Sequence, residues 1–148
     1  MFKPIIKFVK MNENATIPKF AHLSDAGMDV HASEACEIGP NDFKVVKTGL
    51  QMSMPFGYEA QIRSRSGLAA KVGVAVLNSP GTIDCEYRGE VGVILINHGQ
   101  NVFKIGIGDR IAQMVINKLT KFEVKQVKTL EKTVRGEGGF GSTGVKKS

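Results

Sequence analysis

Apolar residues recur at every second position along much of the chain, which is the period of a β-strand with one buried face. Two stretches show this alternation most clearly, YEAQIR (58–63) and VFKIGI (102–107). The in-phase residues are Tyr58, Ala60 and Ile62 in the first and Phe103, Ile105 and Ile107 in the second. From 91 to 96 both sets of alternate positions are apolar or glycine, which predicts a strand buried on both sides.

Turn-forming residues separate these stretches at short intervals. The turn clusters are IGPND (38–42), MPFG (54–57), NSPG (78–81), NHGQN (97–101) and GIGD (106–109). Short strands at this spacing predict an all-β sandwich or barrel. One short helix is predicted over GLAAKV (67–72), and hydrophobic periodicity ends near residue 131. We therefore expect a single domain, 1–148, in which residues 134–148 form a mobile, glycine-rich C-terminal arm.

Composition narrows the picture only slightly. The chain has 148 residues, of which 42% are hydrophobic and 23% are charged, as in ordinary globular domains. It contains no apolar run of about 18 residues and no secretory leader pattern, so no membrane partner is expected. Cys36 and Cys85 fit neither a metal-binding spacing nor a disulfide framework, which favours a reducing cytoplasm.

The net charge of +6 is compatible with an anionic small-molecule ligand but does not identify one. Much of the excess is lysine after residue 117, and this distribution is more typical of a solvated face than of a nucleic-acid groove. Arginine–glycine tails that bind nucleic acid repeat their motif, whereas here it occurs once. No nucleic-acid partner is therefore expected.

The segment RGEGGFGSTG (135–144) has the glycines and hydroxyls of a phosphate-binding loop. It lacks the lysine of a P-loop, and no strand precedes it, so that assignment fails. The chemistry still suits an anion: Arg135 offers a planar fork, and Ser142 and Thr143 offer hydroxyl donors. Phe140 has no core to join and could cover a flat ligand. A disordered glycine tail is the alternative interpretation.

Polar residues also interrupt the strand pattern at RSRSGLA (63–69). Arg65 and Ser66 stand at the start of the predicted helix, where free N–H groups and a guanidinium favour an anion. A solvent-facing arginine and a serine N-cap are equally consistent with this segment.

The segment NSPGTIDCEYRGE (78–90) predicts a turn and a tight hairpin in which Asp84 has apolar neighbours. Keeping a carboxylate there is costly, which favours a catalytic base or a metal ligand over a turn cap. Two shorter segments add polar candidates on strands, Asp29 in AGMDVHA and Gln113 in DRIAQMV.

These five segments resemble, in order, the five motifs of the trimeric dUTPases, the deoxyuridine triphosphate nucleotidohydrolases. The resemblance runs from residue 26 to residue 144, nearly the whole chain. Five motifs in order are far more specific than any one of them. The departures are mild: Met28 stands where the first motif often has an aromatic residue, and Cys85–Glu86 occupy a variable pair.

The resemblance implies a jelly-roll-type β-sandwich of the dUTPase-like β-clip kind and a homotrimer with active sites shared between subunits. It implies hydrolysis of dUTP to dUMP and pyrophosphate by Mg²⁺-assisted, in-line attack of water on the α-phosphorus. This reaction would keep uracil out of DNA and supply dUMP for thymidylate synthesis. Each site would combine motifs from two chains, and the arm of the third chain would close over the substrate.

The resemblance also assigns roles to residues. Asp84 would activate the attacking water, and Asp29 would hold Mg²⁺ through water molecules. Phosphate oxygens would be bound by Arg65, Ser66, Gly67, Gln113, Arg135, Gly141, Ser142 and Thr143. The base and sugar would be recognised by Asn78, Thr82, Ile83, Asp84, Tyr87 and Gly92, with Tyr87 excluding ribose and Phe140 stacking on uracil.

Two other functions are compatible with the same expected fold. The related dCTP deaminases share it but deaminate the base, and they do not usually carry an aromatic glycine-rich arm of this form. A binding or regulatory module without turnover is the other, and the presence of Asp84 argues against it.

Overall fold

The computed structural model describes residues 3–146 and consists of short strands with one helix. The strands are β1 (Lys7–Lys10), β2 (Met28–His31), β3 (Cys36–Ile38), β4 (Phe43–Lys47), β5 (Leu50–Ser53), β6 (Tyr58–Arg63), β7 (Val74–Val76), β8 (Gly81–Asp84), β9 (Gly92–Asn97), β10 (Phe103–Ile105) and β11 (Arg110–Lys118). The helix, α1 (Ser66–Val72), follows β6. The predicted all-β class with one short helix is confirmed.

Two larger sheets face each other across the core. One has the strand order β2-β11-β6-β8 and the other has the order β4-β9-β7. The pairs β1-β5 and β10-β3 extend the structure, and every pairing is antiparallel. The largest fully buried side chains come from all of these sheets and include Val30, Ile38, Leu50, Leu95, Ile111 and Met114. They form one hydrophobic cluster.

The predicted alternation is confirmed in β6, where Ala60 and Ile62 are buried and Arg63 is exposed. It is wrong at Ile107, which is 55% exposed because β10 ends at Ile105. A turn follows: the Gly106 N–H donates to Asp109 Oδ2 at 2.7 Å, and Gly108 adopts a φ of 85°.

The strand predicted over 91–96 is present as β9, but it is buried on one side only. Val93 and Leu95 face the core, whereas Ile94 and Ile96 are half-buried on the outer face. β9 lies between β4 and β7, so both of its edges are paired. Its outer face is only partly covered.

The tight hairpin predicted over 78–90 does not form, because β8 and the strand that follows it are not paired with each other. β8 pairs with β6, whereas β9 pairs with β4 and β7, so the connection crosses from one sheet to the other. A turn begins the crossing, with the Tyr87 N–H donating to the Asp84 carbonyl at 3.1 Å.

The chain leaves the sheets after β11. The Leu119 N–H donates to the Gly57 carbonyl at 2.8 Å, and the Lys121 ammonium lies 4.1 Å from the centre of the Phe56 ring. Beyond this point the chain forms no strand or helix up to residue 146, and its side chains are exposed. The exposed segment thus begins well before residue 131. Residues 147 and 148, the end of the predicted arm, lie outside the described residues.

No helix within residues 3–146 has both the length and the apolar character needed to cross a membrane.

Candidate active site

Three of the five motifs converge on one pocket of about 280 Å³, which we call the acidic–arginine pocket. Its lining residues are Ala21, Asp25, Ala26, Gly27, Asp29, Arg65, Ser66, Gly67 and Gln113. The structure therefore brings together the residue predicted to hold the metal and four of those predicted to bind phosphate.

Strand register explains this convergence. Gln113 of β11 lies opposite Asp29 of β2 on one side and opposite Arg63 of β6 on the other. Paired residues in antiparallel strands project from the same face of the sheet. Arg65 follows the end of β6 and precedes α1, so it reaches the same pocket.

Two arginines hold the Asp29 carboxylate. Arg65 Nε lies 3.5 Å from Asp29 Oδ1, and Arg110 Nη1 lies 3.8 Å from Asp29 Oδ2. Arg65 also donates through Nη1 to the Arg110 carbonyl at 3.2 Å. The Asp29 and Arg65 side chains are each only 27% exposed, so their pairing is partly shielded from solvent.

The same charges act on His31, which follows on β2. Burial lowers the pKa of His31, Asp29 opposes this shift, and Arg110, Arg65 and Lys19 add to it. Among residues 3–146, the buried Nδ1 atom of His31 has no hydrogen-bond partner. The imidazole is therefore neutral near pH 7 and adds no positive charge beside Asp29.

Gly27 is a lining residue that the sequence reasoning missed. A Cβ at this position would lie 2.8 Å from Gln113 Oε1 and 3.3 Å from the Met114 carbonyl. Gln113 is held on its other side, because its Nε2 donates to the Ser64 carbonyl at 3.1 Å. The signal was present in AGMDVHA, where a glycine stands two residues before Asp29. Only the register of β11 shows what it accommodates.

Ser66 does not act as the helix N-cap. It is the first residue of α1, and the capping position is Arg65, in an extended conformation without a side-chain cap. The first N–H groups of the helix consequently have no capping side chain.

A second pocket, of about 180 Å³, lies where the predicted hairpin opens. We call it the strand-gap pocket, and its lining residues are Thr82, Ile83, Asp84, Tyr87, Glu90, Val91 and Gly92. β8 is an edge strand of its sheet, so one row of its backbone groups faces this gap instead of a neighbouring strand. Asp84 is exposed, so the burial cost inferred from its apolar neighbours does not arise in the single chain.

Tyr87 is held in place at the strand-gap pocket. Its hydroxyl donates to the Glu90 carbonyl at 2.9 Å. A Cβ at Gly89 would lie 2.6 Å from Tyr87 Cζ and would also meet the hydroxyl, so only glycine leaves room for the ring. A Cβ at Gly92 would lie 2.8 Å from Val45 Cγ1. Asn78 is exposed beside Gly81 and does not line the pocket.

The predicted residues of the arm lie in neither pocket. Arg135 Nε donates to the Gly138 carbonyl at 2.8 Å, which curls the segment on itself. Phe140 is fully exposed and has a positive φ of 50°. Gly141, Ser142 and Thr143 are exposed as well. In the single chain, therefore, the arm does not join the site that it was predicted to cover.

The sheet arrangement is the β-clip, jelly-roll-like fold, with a charged pocket beside α1. The model of the dUTPase family matches residues 13–144, and the chain belongs to this family.

Curated relatives agree over nearly their whole length. The deoxyuridine 5'-triphosphate nucleotidohydrolase of Crocosphaera subtropica is 54% identical over 140 residues, which cover 95% of this chain and 99% of that protein. Those of Clostridium tetani and Helicobacter pylori are each 50% identical, over 94% and 97% of this chain and over 96% and 99% of the respective relatives.

Solved structures give the same result. A mutant dUTPase of Staphylococcus bacteriophage 80alpha with dUpNHpp is 30% identical, with a TM-score of 0.88 over 95% of this chain and 99% of that one. A mutant dUTPase of the S. aureus phage phi11, described with a structural Mg(II) ion, is 28% identical, with a TM-score of 0.79 over 86% of this chain and 99% of that one.

Proposed function

We propose that this chain hydrolyses dUTP to dUMP and pyrophosphate, with water attacking the α-phosphorus. The observation that carries the proposal is the convergence of Asp29, Arg65 and Gln113, from three separate motifs, on one charged pocket. The dUTPase relatives act on this substrate by name. The reaction would remove dUTP before it enters DNA and supply dUMP for thymidylate synthesis.

The acidic–arginine pocket suits a triphosphate. The Arg65 guanidinium offers a planar fork of donors that matches phosphate oxygens. Ser66 and Gly67 add a hydroxyl and backbone N–H groups at the start of α1, where no side chain competes for them. Gln113 holds its amide toward the same space.

Magnesium fits this pocket as an ion carried with the substrate. Within residues 3–146, no group of three or more His, Cys, Asp or Glu side chains could hold a metal ion. Asp29 supplies one carboxylate, and Mg²⁺ typically takes one or two carboxylates, several waters and substrate phosphates. When bound, the ion would neutralise charge on the phosphates. Asp29 would hold it through water.

The strand-gap pocket suits the base. Backbone donors and acceptors from Thr82 to Asp84 border it, on the edge of β8 where a further strand would otherwise pair. At two edge positions uracil and cytosine have hydrogen-bond donor and acceptor reversed. A buried mismatch of this kind discriminates between two ligands by about 10⁴ or more. Asn78, at the entrance to β8, would add to this recognition. Tyr87 would press on deoxyribose where a ribose hydroxyl would clash.

Asp84 would act as the general base toward water. Carboxylates are weak bases, so much of the rate would come from positioning and charge stabilisation by Arg65 and the other phosphate ligands. The arm would add Arg135, Gly141, Ser142 and Thr143 at the phosphates and Phe140 over uracil, and its closure would exclude water.

Strand register indicates that one chain cannot complete the site. Asp29 and Asp84 lie on the two outermost strands of the four-stranded sheet, about 14 Å apart across the strands. The β6 residues in line with them are Arg63, which pairs with the Asp29 partner Gln113, and Glu59, which pairs with Asp84; these add roughly 13 Å along the strand. A catalytic contact spans only about 3 Å, or twice that through one water. We therefore infer that Asp84 from one subunit serves the acidic–arginine pocket of another.

The outer face of the three-stranded sheet supports assembly into a homotrimer. Its outward side chains are Phe43, Val45, Lys47, Ala75, Ile94 and Ile96, which are apolar except for the lysine at one end of β4. Phe43 and Val45 are 58% and 54% exposed in the single chain. Contiguous apolar patches of this kind mark interfaces between proteins. Sedimentation equilibrium should give three times the chain mass, and Phe43→Glu should lower it while Lys44→Glu does not.

The decisive experiment incubates the protein with Mg²⁺ and each of dUTP, dCTP, dTTP and UTP. Pyrophosphate should form from dUTP alone at a substantial rate. Comparable turnover of dCTP or dTTP would contradict the proposed base selection, and orthophosphate in place of pyrophosphate would contradict attack at the α-phosphorus. Ammonia from dCTP would indicate a deaminase instead.

The compartment is a separate proposal. Cys36 and Cys85 are both free thiols, which suits a reducing cytoplasm.

A further inference from the structure

Arg110 lies behind the acidic–arginine pocket without lining it. Its guanidinium nevertheless contacts the oxygen of Asp29 that Arg65 does not, at 3.8 Å. Its carbonyl accepts from Arg65 Nη1 at 3.2 Å. Arg110 thus contacts both Asp29 and Arg65.

A β-bulge puts Arg110 in this position. The register between β11 and β2 shifts between Arg110 and Ala112: Arg110 pairs with His31, and Ala112 pairs with the adjacent Val30. Ile111 and Ala112 are consecutive and both buried, as expected where one extra residue is inserted. In an unshifted register Arg110 would pair with the buried Ala32, one residue beyond β2, and would face the core.

The bulge therefore puts Arg110 and Gln113, three residues apart, on the face that carries Asp29. Bulges beside active sites commonly re-aim one side chain. In this chain the re-aimed side chain is a cation directed at Asp29.

The arrangement has a consequence for ligand binding. Arg65 is engaged with Asp29 and with the Arg110 carbonyl. Phosphate oxygens that take up the remaining Nη donors of Arg65 compete with Asp29 for the same guanidinium charge. Arg110 retains a hold on the other carboxylate oxygen, so Asp29 keeps a charged partner and its orientation during this exchange.

The geometry points to Arg110 as a positioning residue that holds Asp29 in place while Arg65 transfers to the phosphates of a magnesium–nucleotide complex. This inference rests on the proposed function of the pocket. It adds to the proposed site a residue outside the pocket lining. It predicts that replacing Arg110 alters magnesium-dependent nucleotide binding and not folding.

A structural role and a positioning role differ in measurable ways. The Arg110 side chain is 57% exposed, and an ion pair so open to solvent contributes little to stability. Arg110→Ala should therefore leave the midpoint of thermal unfolding nearly unchanged. Residues that orient a metal ligand typically alter metal affinity or activity by about 10-fold to 100-fold when replaced.

Calorimetric titration with a non-hydrolysable dUTP analogue, over a series of Mg²⁺ concentrations, supplies a readout independent of turnover. Arg110→Ala should raise the Mg²⁺ concentration needed for half-maximal tight binding by roughly 10-fold. Arg110→Lys, which keeps the charge as a single point, should recover part of this loss. Lys104→Ala is the control, because Lys104 forms an ion pair of similar length with Glu37, at 3.7 Å, which is more exposed and does not involve the pocket.

A double substitution tests whether the effect passes through Asp29. In an Asp29→Asn background there is no carboxylate to hold, so adding Arg110→Ala should change the Mg²⁺ dependence little. An equal loss in both backgrounds would mean that Arg110 acts on the ligand itself and would overturn the positioning role. The positioning role would also be overturned if Arg110→Ala behaved like Lys104→Ala. Absence of dUTP turnover by the unaltered protein would instead contradict the proposed function.

Discussion

The acidic–arginine pocket presents Asp29 and Arg65, which pair with each other, whereas the strand-gap pocket is bordered by the backbone of β8 and by Asp84, Tyr87 and Glu90. In the first, Asp29 pairs with Arg65 at 3.5 Å and with Arg110, which lies outside the pocket lining, at 3.8 Å. In the second, Asp84 is exposed, and β8 presents a free edge. Charged groups bind phosphate whatever base is attached, while an unpaired backbone edge can select a base. Under the proposed function, this contrast would separate affinity for the triphosphate from selectivity for the base.

The largest expected effect belongs to Asp84 in the strand-gap pocket. Asp84→Asn is nearly isosteric but cannot take a proton from water, so turnover should fall about 10²–10⁴-fold, the usual range for a general base. Affinity for a non-hydrolysable dUTP analogue should change little. Glu86→Gln, which removes an exposed carboxylate two residues away, is the control. Turnover of Asp84→Asn within threefold of the control would assign the base elsewhere.

The arm should have the next largest effect, because it must join both pockets. Truncation after Thr133 should leave thermal unfolding and oligomer mass almost unchanged, since the removed residues are exposed. Turnover should fall at least 10²-fold, because several charge-assisted contacts of about 1.5–3 kcal/mol each are lost.

Chain mixing tests whether the arm and Asp84 come from different subunits. The truncated chain and full-length Asp84→Asn are each expected to be nearly inactive. After subunit exchange, some mixed trimers would combine an intact Asp84 with an intact arm, so partial activity should return. If exchange is verified by mass and no activity returns, the arm closes over its own chain's Asp84.

Arg65 in the acidic–arginine pocket should affect affinity without affecting selectivity. Arg65→Ala removes charge-assisted hydrogen bonds to phosphate, so dUTP binding should weaken by about 10-fold or more. Its kcat/KM preference for dUTP over UTP should stay close to that of the parent protein. A changed preference would show that the two pockets do not act separately.

Substitution of Tyr87 should give the smallest change in rate. In contrast to Arg65→Ala, it should change the selectivity for dUTP over UTP. Tyr87→Ala opens space beside the sugar, so the preference for dUTP over UTP should fall by about 10-fold, within the range for a steric filter. Tyr87→Phe keeps the ring and loses only the hydroxyl bond to the Glu90 carbonyl. It should preserve most of the preference. If the alanine variant kept the parent ratio, Tyr87 would have no part in excluding ribose.

The sequence alone determined the strands whose pattern reflects one buried face, as in β6, and the short helix α1. It also determined the family, because motif order is a property of the chain itself. Local sequence patterns determine these elements because the alternation of apolar residues and the turn-forming residues each act over only a few positions.

Only the tertiary structure decided which segments meet. It placed Arg110 beside Asp29 through a bulge, made Gly27 the residue that accommodates Gln113, and opened the predicted hairpin into a pocket. It also ended β10 at Ile105 and left the outer face of β9 half-exposed. These features depend on pairing between strands far apart in the chain. A shift of one residue in that pairing turns a side chain from one face to the other, and no local pattern records it.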